Sequence, residues 1–113
     1  MRRRFRLTGS EDIRRVRRFG KSYAHPLVVL LAQTNDKAQV HVGVVAGRGV
    51  GTAVKRNRAK RLMRAGMQSL LPSVAAGWDV VLIARRAMVA SDVYEVREAL
   101  LALLRRAALI SPA

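Results

Sequence analysis

Residues Lys55-Arg-Asn-Arg-Ala-Lys-Arg-Leu-Met-Arg-Ala-Gly-Met-Gln-Ser-Leu70 decide the fold. Advancing about 100° per residue gathers Ala59, Leu62, Met63, Gly66, Met67 and Leu70 into one apolar stripe. Such a stripe has to pack on a sheet. The helix predicted around it runs from about Thr52 to Leu71, and Pro72 ends it. The opposite face carries Asn57, Arg61, Arg64 and Gln68; Arg56 and Lys60 lie on one flank, Lys55 and Arg58 on the other. No acidic residue stands in the helix, so the cations at i,i+4 repel one another. A surface made only for solubility mixes signs, whereas this one suits a chain of phosphates. Asn57 is a neutral amide among cations, able to contact a base, a 2′-hydroxyl, a phosphate or a nearby loop.

Working outward, Gly47-Arg-Gly-Val-Gly51 is a loop. Its glycines could bring backbone N–H groups to an anion at the helix N-terminus, but a plain turn accounts for them better. G-x-x-x-x-G-K-[ST] is absent, so this is not a nucleotide P-loop. Upstream, Tyr23 to Thr34 reads as one strand, Asn35-Asp-Lys37 as a turn, and Gln39 to Ala46 as the second strand of a hairpin, with Val40, Val42 and Val44 alternating. Downstream, Asp79 to Ala84 reads as a buried strand closed by Arg85-Arg86. Ser91 or Asp92 caps a last helix to about Leu109, apolar at Val93, Val96, Leu100, Leu103 and Leu104. At the front, Thr8-Gly-Ser-Glu11 matches a capping box ahead of a helix from about Ser10 to Arg18. Ile13, Val16 and Phe19 form its apolar side, and Gly20 stops it. The predicted order is α-β-β-α-β-α, a two-layer α/β (α+β) sandwich on one small mixed sheet.

The length of 113 residues fits a single domain, residues 1–113, with the first six as a loose basic arm. Zero Cys excludes a disulfide framework, a thiolate zinc site and a cysteine nucleophile. Lys and Arg number 22 against 7 acids, for a net charge of +15, and 18 of the 22 are Arg. Arg offers a planar fork for phosphate and stacks on bases, so a nucleic-acid partner is the first expectation. Apolar runs such as Leu27 to Ala32 fall far short of the ~20 residues a membrane span needs. No apolar segment follows the basic N-terminus as a signal peptide requires, and a cytoplasmic location is expected. His25 and His41 lack partners at ligand spacing, so no metal site is predicted. The acids fall mainly at helix starts and turns, and no Ser/His/Asp set stands out, so no catalytic residue is assigned. Trp78 is read as packing over the sheet edge rather than stacking on a base.

Gly51-Thr-Ala-Val-Lys-Arg-Asn-Arg-Ala-Lys-Arg-Leu-Met-Arg64 resembles the signature of the bacterial ribonuclease P protein family, a glycine, Ala-Val, then Arg-Asn-Arg-x-Lys-Arg-x-x-Arg. The resemblance runs from about Arg6 to Arg106. It includes the Arg-Leu-Thr start, the stretch around Val40 to Val45, and Asp79-Val-Val-Leu-Ile-Ala-Arg-Arg86. It implies a left-handed crossover through the Arg-rich helix, against the usual hand. It also implies the protein subunit of a ribonucleoprotein whose catalytic RNA subunit cleaves precursor tRNA to form the mature 5′ end. On this resemblance the RNA contacts are Arg48, Lys55, Arg56, Asn57, Arg58, Lys60, Arg61, Arg64 and Gln68. A cleft between the first helix and the sheet face takes the single-stranded leader, with Ile13, Arg14, Arg17 and Leu30 as candidates. Magnesium is expected, bound mainly by the RNA, with no organic cofactor and no further protein partner.

Three features depart from the family pattern. Ile13, Arg17 and Leu30 stand where leader-stacking aromatics are common, so leader contact is expected to lean on aliphatic packing and Arg. Gly47-Arg48-Gly49 replaces Ser-x-Lys-Lys, and Arg64-Ala65 replaces Arg-Glu. A ribosomal or general RNA-binding protein fits the composition too. A DNA-binding module would need a recognition helix free of the body, whereas this helix carries a full apolar stripe.

Overall fold

The β-branched and leucine-rich segments pair into one four-stranded sheet. Its strands are β1 (Lys21–Ala24), β2 (Val28–Thr34), β3 (His41–Val45) and β4 (Trp78–Ala84). The helices are α1 (Ser10–Phe19), α2 (Ala53–Gln68) and α3 (Val93–Arg106). This is a computed structural model, and it describes residues 1–110. The sheet order is β1-β2-β4-β3, with β2 antiparallel to β1 and β4, and β3 parallel to β4. The parallel pair is joined by the crossover through α2, the Arg-rich helix.

Two sequence expectations about the strands change. The single strand expected over Tyr23 to Thr34 is broken at His25-Pro26, where Leu27 N donates to His25 Nδ1 at 3.1 Å, and β1 and β2 become a hairpin. Pro26 lacks the N–H a continuous strand would use there. The hairpin expected between β2 and β3 does not form, because β4 inserts between them. Asp79 of β4 pairs with Gln33 on one side and His41 on the other. The 35–39 turn therefore bridges two strand spacings, held open by Asn35 N to Gly77 O (2.8 Å) and Gly77 N to Gln39 O (3.2 Å).

Strand parity then sorts the core. Val28, Leu30, Ala32, Val80 and Leu82 face α2 and α3, meeting Ala59, Met63, Met67, Leu100 and Leu104. The opposite face of the sheet carries Leu31 and Val81 under α1, with Val16 and Leu7 closing that cluster. Trp78 packs against the main core as expected, but from the start of the central strand β4 rather than over a sheet edge. Asp92 caps α3 with a full capping box to Glu95. The corresponding box at α1 is absent: Gly9 is the N-cap and no side chain caps it. Phe19, expected on the apolar side of α1, is 65% exposed, with the Arg18 guanidinium over its ring.

The basic arm lies along the sheet. Arg3–Phe5 form a short 3-10 turn, and Leu7 N donates to Val42 O at 2.9 Å, laying the chain along the outer edge of β3. This blunts an edge that would otherwise offer unpaired backbone groups. Gly43 makes the approach possible, since a Cβ there would lie 2.9 Å from Leu7 O.

Candidate nucleic-acid interface

The buried stripe of α2 is Ala59, Met63, Gly66 and Met67, continued by Leu70 just beyond the helix. Leu62, expected in that stripe, is only partly buried at its margin. The helix is therefore rotated slightly from the predicted orientation, with Met63 rather than Leu62 at its deepest point. Thr52 caps it by accepting from Lys55 N at 3.3 Å, and Gly51 precedes the cap at φ 133°, a conformation that favours glycine. The glycine loop thus acts as a turn, and the helix start is satisfied by its own threonine.

Against that anchor, Lys55, Asn57, Arg58, Arg61 and Gln68 are exposed, while Arg56, Lys60 and Arg64 are half-buried. Among the described residues, none of the α2 cations is paired with a carboxylate; the salt bridges fall on Arg15, His41 and Arg97. Arg56 Nε is buried and has no acceptor from the chain. Arg58 is engaged differently from its neighbours. Its Nε donates to Val89 O (3.0 Å) and its Nη2 to Ser91 O (3.3 Å), clipping α2 to the turn before α3. Arg48 is exposed in the loop, and Arg86 ties that loop down through Gly49 O at 3.3 Å.

The docked arm adds what the sequence did not reveal. Arg6 and Thr8 join Ile13, Lys60 and Arg64 around a cavity of about 240 Å³. Burial, and then the charge of Arg6, lower the Arg64 pKa from its ordinary value, a sign of like charges held together without relief. Arg6 and Thr8 carried no motif. Only the bridge to Val42 brings them here.

On the other sheet face, α1 is tied down by a buried polar cluster. Arg15 Nη2 meets Asp79 Oδ2 at 2.6 Å, Asn35 Nδ2 donates to Asp79 Oδ1 at 2.8 Å, and Arg15 Nη1 donates to Gln33. His41 Nδ1 lies 3.5 Å from the same carboxylate. Burial pushes the Asp79 carboxyl up, yet the hydrogen bonds from Arg15 and Asn35 outweigh it and hold the group below the usual carboxylate range. With Arg15 committed to that side, Ile13 and Arg17 lie on the other side of α1. Ile13, like the partly buried Val29, Val45 and Ile83, packs against the cluster of Leu7, Val16, Leu31 and Val81. Arg17 is exposed, and Arg14 is exposed on the side opposite the buried Val16.

Leu30 does not belong to this face. It is fully buried and points to the α2–α3 layer; Val29 and Leu31 carry the parity that faces α1. A one-residue shift in register reverses the face of a strand residue, and only the pairing fixes it.

A model of the family described as Ribonuclease P matches residues 1–108. The ribonuclease P protein component of Herpetosiphon aurantiacus is 36% identical over 109 residues, covering 96% of this chain and 89% of the relative. That of Chloroflexus aurantiacus is 37% identical over 111 residues, covering 97% and 82%. The chain belongs to the ribonuclease P protein family. The solved ribonuclease P protein from Thermotoga maritima superimposes with a TM-score of 0.79 at 31% identity, over 89% of this chain and 96% of that one. The ribonuclease P protein fold therefore accommodates Ile13, Arg17 and Gly47-Arg48-Gly49 without loss of architecture. Among the described residues no helix is long and apolar enough to cross a membrane.

Proposed function

We propose that this chain binds the catalytic RNA subunit of ribonuclease P through α2 and grips the 5′ leader of precursor tRNA on the sheet face beside α1. The RNA and its magnesium ions carry out phosphodiester hydrolysis, and the protein supplies affinity. One observation carries this reading: an uncompensated row of cations on a helix whose back is fixed by Met63 and Met67. Arg56, Lys60, Arg61 and Arg64 serve as phosphate contacts, with Arg48, Lys55, Asn57 and Gln68 flanking them. Arg58 chiefly fixes α2 against α3, leaving part of its fork for RNA.

The leader lies against Val29, Val45 and Ile83, flanked by Ile13 and Arg17. These side chains offer aliphatic contact and one guanidinium rather than aromatic stacking. Ile13 also lines the Arg6–Lys60–Arg64 cavity, so the cationic flank and the leader face are one continuous surface. Reconstitution tests the proposal. Added to ribonuclease P RNA at low magnesium, the chain should raise cleavage of precursor tRNA, and no rise refutes the reading. If about five phosphates are neutralised, log affinity should fall with log salt at a slope near −3.5 to −4.5.

A further inference from the structure

The arm and the C-terminal end of α2 enclose a second cavity, of about 460 Å³, that shares only Gln68 with the surface described above. That volume lies in the ~300–1,000 Å³ range of small-molecule sites. Its floor is aliphatic, made by Val40, Leu71 and Val74, and one wall is Phe5. The Arg4 guanidinium sits 4.9 Å from the centre of the Phe5 ring. Arg2 and Arg4 stand among the lining residues with no carboxylate, and Gln39 and Gln68 contribute side-chain amides. Gln68 Oε1 accepts from the Met1 amino group at 2.7 Å, and its NH₂ has no hydrogen-bond partner among the described residues.

An apolar floor, an aromatic wall, two amides and a guanidinium rim together match one kind of occupant, a planar heterocycle carrying an anionic tail. The cavity is also continuous with the cationic row, because Arg61, Arg64 and Gln68 follow one another up the same face of α2. A strand whose phosphates track Arg61 and Arg64 is delivered to the cavity mouth. We propose that this cavity takes one unstacked nucleotide of the RNA partner, its base against Phe5 and its phosphate at Arg2 and Arg4. This rests on the RNA-binding reading above but adds a base pocket to a phosphate-binding helix.

Two measurements on the full chain test it. In the first, adenosine 5′-monophosphate and ribose 5-phosphate are titrated separately while the methyl resonances of Val40, Leu71 and Val74 are followed by NMR. The nucleotide should move all three and give base-to-Phe5 contacts, and ribose 5-phosphate should leave them in place. Equal shifts with both, or none with either, overturn the proposal. In the second, Ala76→Trp fills the mouth from an exposed position that the core does not use. Affinity for ribonuclease P RNA should drop about 5- to 150-fold, the loss of one stacked base. Unchanged affinity overturns the proposal. Self-association of the wild type that Ala76→Trp abolishes, without any nucleotide effect, assigns the cavity to a second copy and overturns it as well. Wild-type chain that binds the mononucleotide but not ribonuclease P RNA overturns the functional reading and the RNA as source, and keeps only a nucleotide pocket.

Discussion

Met63→Ala is the sharpest probe of the anchored helix. The side chain is fully buried between sheet and helices, and the change removes about three heavy atoms beyond Cβ. At roughly 0.8 kcal/mol per buried methylene-sized group, the transfer loss is about 2.4 kcal/mol, and the cavity left behind raises the total to ~3 kcal/mol or more. With about 2.1 cal/mol/K of unfolding entropy per residue, 113 residues turn ~3 kcal/mol into a drop in Tm of roughly 12 °C. Leu62→Ala, at the half-exposed margin, should cost less than about 1.5 kcal/mol. Arg61→Ala, on the exposed face, should stay within about 0.5 kcal/mol. Urea unfolding of the three variants beside wild type measures all of this, with unchanged m-values as the check that only stability moved. A Leu62→Ala loss equal to that of Met63→Ala would refute the orientation assigned to α2, and with it the placement of the cationic row.

Arg61→Ala and Arg64→Ala should each weaken RNA binding and make the salt slope shallower by roughly 0.7–0.9, because each removes one phosphate contact; binding titrations over a salt series read this directly. Asp79→Asn should cost ~1–3 kcal/mol, since Arg15 loses its anionic partner but retains solvent access. Because the folded Asp79 pKa lies below its unfolded value near 3.9, that contribution is fully present above about pH 4 and is lost as pH falls through the folded value. Denaturation at several pH values should show the wild-type advantage over Asp79→Asn constant at neutral pH and shrinking in acid. Gly43→Ala should push the arm off β3, because its Cβ would meet the Leu7 carbonyl at 2.9 Å; faster amide exchange at Leu7 N–H would report it.

By itself the sequence determined the Arg-rich helix, its buried methionines, a cap at Ser91 or Asp92 for the last helix, and the membership of the family. Those features are local: they depend on a 3.6-residue period, on cap chemistry, and on a motif whose spacing survives folding. The same periodicity left Leu62 and Met63 indistinguishable, since a one-residue rotation of a helix is settled only by what it packs on.

What the tertiary structure alone decided is non-local. Turn residues at 35–37 permit either a β2–β3 hairpin or a wide bridge, and the choice came from β4 inserting between the strands. That insertion fixed strand parity, which placed Leu30 in the core and Val29 on the face beside α1. It also left an outer edge on β3 for the arm, and the arm carried Arg6 to Arg64 and Phe5 to the end of α2. Charge composition announced a polyanionic partner, but the shape of the cationic surface comes from hydrogen-bond pairing between segments far apart in the chain.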